Sequence, residues 1–287
     1  MKVPPAFVNH AAAGQPPPLA QIIVLMREAH GFDLALYEEA FLAKSLQRRL
    51  EGAGLAGWSA YLERLAQDGA EAQALFASLN IGYSEFFRDP LAFALLEQVI
   101  LPALLQQSGP AGLRVWSAGC AAGQEAGSIA ILLDEQNAGR GQPLPFRIFA
   151  TDRDAALLAA AHKGIYDAAS VQQLRLQQLR RYFTVTGDAY SLSPALKAHI
   201  DFSVFDLLAE GTTSPVAAIY GDFDLVLCCN LLFYYRPEVR QRILDKMVRA
   251  LRPGGYCVTG AVEREIVARQ TGLHAVTPPV AVFQKQN

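Results

Sequence analysis

The chain has 287 residues, of which 52% are hydrophobic and 18% charged, with a formal net charge of −2. That length favours two unequal domains, and the apolar share fills a core without help from metals or disulfides. The balanced charge lacks the basic stripe of a dedicated nucleic-acid binder. No segment approaches the roughly 18 uninterrupted apolar residues of a membrane span, and the N-terminus has no hydrophobic signal core. The four cysteines, Cys120, Cys228, Cys229 and Cys257, form no C-x-x-C pair. They read as reduced structural thiols, so a soluble cytoplasmic protein with no membrane insertion is expected.

Residues 1–19, rich in Ala and Pro, read as a flexible leader. From Gln21 to about Leu79 apolar residues recur at spacings of three and four: Ile22, Ile23 and Met26, then Leu42, Leu46 and Leu50, then Tyr61, Leu62 and Leu65. This predicts three or four short helices and no strands. Asp89-Pro90 is a capped helix start, and the helix runs to about Gln107. Strands and helices alternate after that. Leu113–Trp116, Phe146–Ala150, Ile200–Phe205, Phe223–Cys228, Tyr256–Thr259 and Val280–Phe283 read as strands. Ser128–Leu133 lies in a helix, Asp154 caps another that stops at Gly164, and Glu238–Leu251 is an amphipathic helix closed by Pro253-Gly254-Gly255. Such alternation predicts a mainly parallel sheet with helices on both faces, binding its ligand at the carboxyl ends of the strands.

Four places carry candidate chemistry. Gly119 and Gly123 follow the first strand and let a ligand approach the backbone, although two glycines at this spacing also suit helix packing. They are not spaced as in the dinucleotide fingerprint G-x-G-x-x-G. The second strand ends at Asp152, whose carboxylate can accept from both hydroxyls of a ribose. These two features together predict a nucleoside site without separating a dinucleotide from adenosylmethionine. The strand Phe223–Cys228 leads to Asn230 and the rings Phe233, Tyr234 and Tyr235, which can line a cleft or pack on the next helix. Arg88 can fork onto a carboxylate or form an ion pair between domains. The five histidines are scattered, and neither a His–acid pair nor a metal site is expected.

Phe86-Phe87-Arg88, Arg114–Cys120, Ala150-Thr151-Asp152, Gly164-Ile165-Tyr166, Arg181-Tyr182-Phe183, the Phe223–Tyr235 block and Leu251–Gly255 stand in the order found in chemoreceptor methyltransferases. The chain resembles that family, CheR, from about residue 20 to 265. The resemblance implies an α/β fold: a Rossmann-like S-adenosylmethionine methyltransferase sheet with an N-terminal all-α domain and a small inserted β-subdomain. The expected boundaries are 20–88 for the helical domain and 89–287 for the methyltransferase domain, with the β-subdomain at about 180–200. It also implies methylation of receptor glutamates to methyl esters in chemotaxis-type signalling. Matched to the family's motifs, the cofactor residues would be Ser84, Arg88, Glu125, Asp152, Asp206, Leu207, Cys229 and Asn230. Tyr234 would lie near the transferred methyl.

The chain departs from the family pattern at Gly82 (usually Asn), at Gln124, Ala126 and Gly127 in the acidic loop, at Cys229 (usually Arg) and at Ala261-Val262 (usually His-Ser). Those losses leave open a diverged member that binds the cofactor as an adaptor or methylates another carboxylate. The expected partner is a chemoreceptor's cytoplasmic helices, with Lys44, Arg48 and Arg49 on one helical turn able to face acidic receptor helices. Thr184–Pro194 lacks the G-x-G-P run of members that tether to a receptor's C-terminal pentapeptide, so no tether is expected.

Overall fold

A computed structural model describes residues 16–218 and 221–286. The expected leader lies outside the described residues up to position 15, and its last residue, Leu19, already opens a helix. Contacts divide the chain into two units: residues up to Ile81 together with Tyr234–Arg236, and Gly82–Phe233 with Pro237–Asn287. Ser84–Arg88 therefore belong to the second unit by their contacts.

The first unit contains α1 (Leu19–His30), α2 (Glu39–Ala53), α3 (Trp58–Gln67) and α4 (Gly69–Ser78). The apolar positions spaced at three and four form its core, with Ile22, Met26, Leu42, Leu46, Tyr61 and Leu65 all fully buried. Gly31 adopts φ 73° and ends α1, and the Asp68 carboxylate accepts from Ala70 and Glu71 to start α4. One charge is buried here. Glu71 accepts from Arg49 at 2.6 Å and from the Tyr61 hydroxyl at 3.0 Å, which satisfies it inside the bundle. Arg49 is thus paired with a buried carboxylate while its side chain stays 31% exposed, and Lys44 and Arg48 are exposed.

In the second unit α5 (Pro90–Leu95) passes through a π-helical turn at Leu96–Ile100 into α6 (Leu101–Gln107). Pro102 has no N–H to complete the regular ladder, and the widened turn lies just before it. This continuous helix of 18 residues is long and apolar enough to cross a membrane, with a mean hydropathy of 1.2. Glu97 and Gln98 interrupt its apolar residues. Its apolar face is buried in the protein instead: Phe93, Leu96, Ile100, Leu101, Leu104 and Leu105 belong to the core of this unit.

The remaining elements are β1 (Leu113–Ala118), α7 (Gln124–Ala138), β2 (Phe146–Asp152), α8 (Ala155–Lys163), β3 (Ile165–Tyr166), α9 (Leu176–Tyr182), β4 (Phe183–Thr186), β5 (Ala189–Leu192), α10 (Pro194–Lys197), β6 (Ile200–Val204), β7 (Phe223–Cys228), α11 (Pro237–Ala250), β8 (Leu251–Thr259), α12 (Arg264–Val267), β9 (Leu273–Ala275) and β10 (Val282–Lys285). Seven strands form one sheet in the order β6-β2-β1-β7-β8-β10-β9. The pairs among β6, β2, β1, β7 and β8 are parallel, and β10 and β9 close one edge antiparallel. The chain starts at β1, winds outward to β2 and β6, then returns to β7. The switch point therefore falls between β1 and β7, and their carboxyl ends share one edge. β7 is buried at every residue, as its continuous apolar run requires.

Two features went unread in the sequence. β8 begins at Leu251, five residues before the predicted strand, because Phe223 pairs with Leu251 and Leu225 with Tyr256, so the Pro253-Gly254-Gly255 turn bulges inside the strand. The inserted sheet has the order β3-β5-β4 and recruits Ile165-Tyr166 from outside the expected 180–200 segment.

Candidate functional site

Beyond β1 the backbone turns tightly. Gly119 and Cys120 both donate to the Thr151 carbonyl, at 2.8 and 2.9 Å, and Ala121 N–H donates to Asp152 Oδ2 at 3.0 Å. Gly119 (φ 77°), Ala121 (φ 48°) and Gly123 (φ 89°) all take left-handed conformations. A Cβ at Gly119 would lie 2.7 Å from Leu231 Cδ1, and one at Gly123 would lie 3.0 Å from the Phe202 ring. Both glycines are needed for close approach as well as for the turn. The Tyr166 hydroxyl, donating to the Ala122 carbonyl at 3.1 Å, supports the loop from below.

Asp152 ends β2 beside this loop. Its second oxygen accepts from Asp154 N–H at 3.0 Å, so two of about four lone-pair sites hold the scaffold. Phe205 N–H donates to the Asp152 carbonyl at 3.0 Å, which brings Asp206 and Leu207 to the neighbouring strand end. Asp206 is exposed and Leu207 buried. Lys246 Nζ donates to the Ala209 carbonyl at 2.7 Å and ties that loop to α11.

Glu125 lies in the first turn of α7, where the helix dipole favours an anion. Ser117 Oγ donates to its Oε1 at 2.6 Å. Burial pushes the Glu125 carboxyl up; hydrogen bonds from Ser117 and Cys229 oppose this, the Glu263 charge adds to it, and the Arg88 charge counters it. Glu125, Cys229, Glu263 and Arg88 therefore share one electrostatic neighbourhood. Cys229 also donates to the Val258 carbonyl at 3.8 Å, and burial holds its thiol well above the usual range. Such a thiol is protonated and inert at neutral pH. The Gln124 Oε1 atom is buried with no hydrogen-bond partner among the described residues, an acceptor at the same helix start.

The Phe86–Arg88 stretch seats against this helix. Phe87 (φ 55°) donates its N–H to Ser128 Oγ at 3.0 Å, and Ser128 donates on to the Gln124 carbonyl. Phe86 fills the space over Gly127, where a Cβ would lie 2.7 Å from its ring. The departure at Gly127 is thus a packing exchange rather than a gap. Gly82 makes the same kind of approach, with Leu157 Cδ2 2.7 Å from the position of a Cβ. Arg88 is exposed; its guanidinium donates to the Tyr83 carbonyl at 3.2 Å and stacks over the Tyr83 ring at 5.2 Å. Ser84 is half-buried in the same segment.

Asn230 follows β7 in the left-handed region at φ 59°, its side-chain amide close against Gly260. Tyr234 belongs by its contacts to the helical unit: its ring packs on Phe41 at 4.6 Å and its carbonyl accepts from Glu38 N–H at 2.9 Å. Glu263 carried no sequence signal as a site residue beyond its place after Ala261-Val262. The structure brings its carboxylate to the backbone of residues 230–232.

The donor set suits a nucleoside that bears a cationic, amino-acid-like tail. It offers carboxylate acceptor sites beyond those the scaffold uses for a sugar, a carboxylate at a helix start for an ammonium, and a guanidinium for a carboxylate. Residues 18–79 match the family description "CheR methyltransferase, all-alpha domain", and residues 83–277 match "CheR methyltransferase, SAM binding domain". The chain belongs to the CheR family of methyltransferases. Among its relatives, chemotaxis protein methyltransferase 1 of Pseudomonas aeruginosa is 31% identical, the match covering 84% of this chain and 87% of that one. The chemotaxis protein methyltransferase of Escherichia coli is 33% identical, over 85% of this chain and 82% of that one. An uncharacterized 104.1 kDa protein of Rhodobacter capsulatus is 34% identical over 85% of this chain, which spans only 25% of that larger relative. As a CheR methyltransferase the protein takes S-adenosylmethionine as its cofactor.

Proposed function

We propose that this CheR chain methylates glutamate side chains on the cytoplasmic helices of chemoreceptors, producing glutamyl methyl esters in the cytosol. The observation that carries this reading is the convergence of Asp152, Glu125 and Asn230 on the carboxyl edge beside the switch point, within a chain that matches both CheR domains. In this reading Asp152 holds the ribose, Arg88 and Ser84 the methionine carboxylate, and Glu125 the methionine ammonium. Asp206 and Leu207 frame the adenine, and Cys229 and Asn230 close the cleft beside them.

Bound adenosylmethionine supplies an electrophilic methyl group on a sulfonium. The protein's own work is alignment. A glutamate nucleophile has an ordinary pKa of about 4.3 and is ionised at neutral pH, so no general base is required. With the cofactor bound, the chain's residues would hold that carboxylate in line with the sulfonium methyl, whose transfer would leave the sulfur as a thioether. Holding the two in near-attack geometry supplies roughly 7–11 kcal/mol. The buried carboxylate of Glu125 favours a cationic cofactor over its neutral product, which aids turnover. Tyr234 orients the incoming carboxylate through its hydroxyl.

The β4–β5 hairpin turns at Gly187-Asp188, and we infer no pentapeptide tether, the receptor being held through the exposed Lys44 and Arg48 turn. The test is transfer of labelled methyl from adenosylmethionine to receptor-bearing membranes. Base-labile label on glutamate is expected, and Tyr234→Phe should lower turnover while leaving cofactor affinity unchanged. Cofactor binding without any transfer would refute the enzyme reading. A low-micromolar complex with a receptor's C-terminal pentapeptide would refute the untethered mode.

A further inference from the structure

Glu263 follows β8 in a single helical turn, Ala261–Glu263, and its side chain is completely buried. Its two oxygens accept four backbone N–H groups. Leu231 and Leu232 donate to Oε1 at 2.7 and 2.6 Å, and Asn230 and Gly260 donate to Oε2 at 2.8 and 2.9 Å. All of the carboxylate's acceptor sites are therefore used on main chain. Three of the donors are consecutive residues of the segment that leaves β7, in which Asn230 holds a left-handed conformation. Backbone leaving a strand ordinarily satisfies its N–H groups in the next turn or helix; here one side chain does so for three residues in a row.

The same segment forms a wall of the candidate cleft. The Leu231 side chain lies over Gly119, its Cδ1 2.7 Å from where a Cβ would stand, and Cys229 one residue before the anchored stretch hydrogen-bonds to Glu125. A shift of residues 230–232 would therefore move the surface facing the glycine loop and disturb the Glu125 carboxylate.

We propose that Glu263 is a positioning residue for methyl transfer, fixing the backbone of Asn230–Leu232 against the cofactor through its main-chain hydrogen bonds. This rests on the cofactor site described above. A glutamine cannot replace it: the amide offers one acceptor oxygen and would aim its own N–H donors at backbone donors. An aspartate keeps the charge and is one methylene too short to reach all four groups.

The test compares Glu263→Gln and Glu263→Asp in the full chain with Leu104→Ala, a buried helix residue away from the strand ends that serves as a control for general destabilisation. Calorimetric titration with S-adenosylhomocysteine, initial rates and melting temperatures are measured on each. Glu263→Gln is expected to weaken binding by about tenfold or more, with a rise in KM for adenosylmethionine exceeding the fall in kcat. Glu263→Asp should fall in between, and Leu104→Ala should stay within roughly threefold of the parent at a comparable loss of melting temperature. Parent-like affinity in both Glu263 variants would overturn the inference, as would an equal loss in Leu104→Ala. If Glu263→Gln does not fold, Glu263→Asp against Leu104→Ala decides the matter. A parent protein that binds no adenosylhomocysteine would overturn the site reading itself, and that outcome is distinct from unchanged variants of a binding parent.

Discussion

Asp152→Asn perturbs the candidate site at its most constrained atom pair. The native carboxylate accepts from Ala121 N–H and from Asp154 N–H, both at 3.0 Å, with different oxygens. That leaves about one acceptor site on each oxygen for a ribose hydroxyl. The asparagine amide has a single acceptor oxygen, so one backbone N–H loses its partner and at least one hydroxyl contact is lost with it. A hydrogen bond to a charged acceptor contributes roughly 1.5–3 kcal/mol, which corresponds to a roughly 10–150-fold rise in Kd for S-adenosylhomocysteine. The orphaned backbone donor should separately cost about 1–3 kcal/mol of stability, a few degrees of melting temperature for a unit of this size. Titration calorimetry at neutral pH on the parent and the variant measures the first, and thermal unfolding monitored by circular dichroism the second. A Kd within roughly threefold of the parent, in a variant that has nevertheless lost a few degrees, would refute the ribose role and leave Asp152 as a loop brace only.

Three further outcomes are expected. Arg88→Ala should weaken adenosylhomocysteine binding by about tenfold or more, because a guanidinium–carboxylate contact is charge-assisted; unchanged calorimetric affinity would remove Arg88 from the site. Glu125→Gln should show a stability difference that depends on pH. Burial raises the folded carboxyl above its ordinary 4.5, so the folded protein binds that proton more tightly than the unfolded chain, and this stabilisation, full below 4.5, is lost as pH rises through the folded value. The melting temperature of the cofactor-free variant should therefore improve relative to the parent between pH 4.5 and 7, and a constant difference would contradict the buried-carboxyl account. Gly127→Ala forces a methyl to within 2.7 Å of the Phe86 ring and should cost about 1–3 kcal/mol by overpacking; adding Phe86→Leu should recover part of it in denaturant titration, and additive losses would show that the two do not touch.

Much of this arrangement was legible in the residues themselves, and the reasons differ from place to place. Asp89, Asp154 and Gly164 act locally, so their caps stand where the sequence put them. The central strands β1, β2 and β7 are largely buried and read as apolar runs. β3, β4 and β5 are short, and β4 exposes every residue after Phe183, so no alternation marks them. Leu251 pairs only because the turn after it bulges out of register, which depends on the partner strand. The place of Asp152 was readable because it follows from the end of one strand. Glu263 was not: its four donors lie at Gly260 and in a segment some thirty residues earlier in the chain, and only tertiary structure brings them together. The Arg49 ion pair was unreadable for the same reason, since its partner Glu71 belongs to another helix.

The inserted three-stranded sheet has little interior of its own. Of β4 and β5 only Phe183 and Leu192 are buried, and both join Tyr166, Tyr182 and Leu196 in the main core of the catalytic unit. Phe86 meets Tyr166 and Phe183 edge-on, at 4.9 and 5.2 Å. Excised, this hairpin would have no hydrophobic centre to fold around, and a transplanted copy would need the host's aromatic socket as well as its own sequence. Divergence in whatever the hairpin touches is therefore open through its exposed residues, such as Thr184 and Val185, while wholesale exchange of the module between relatives would carry the penalty of an ill-fitting root.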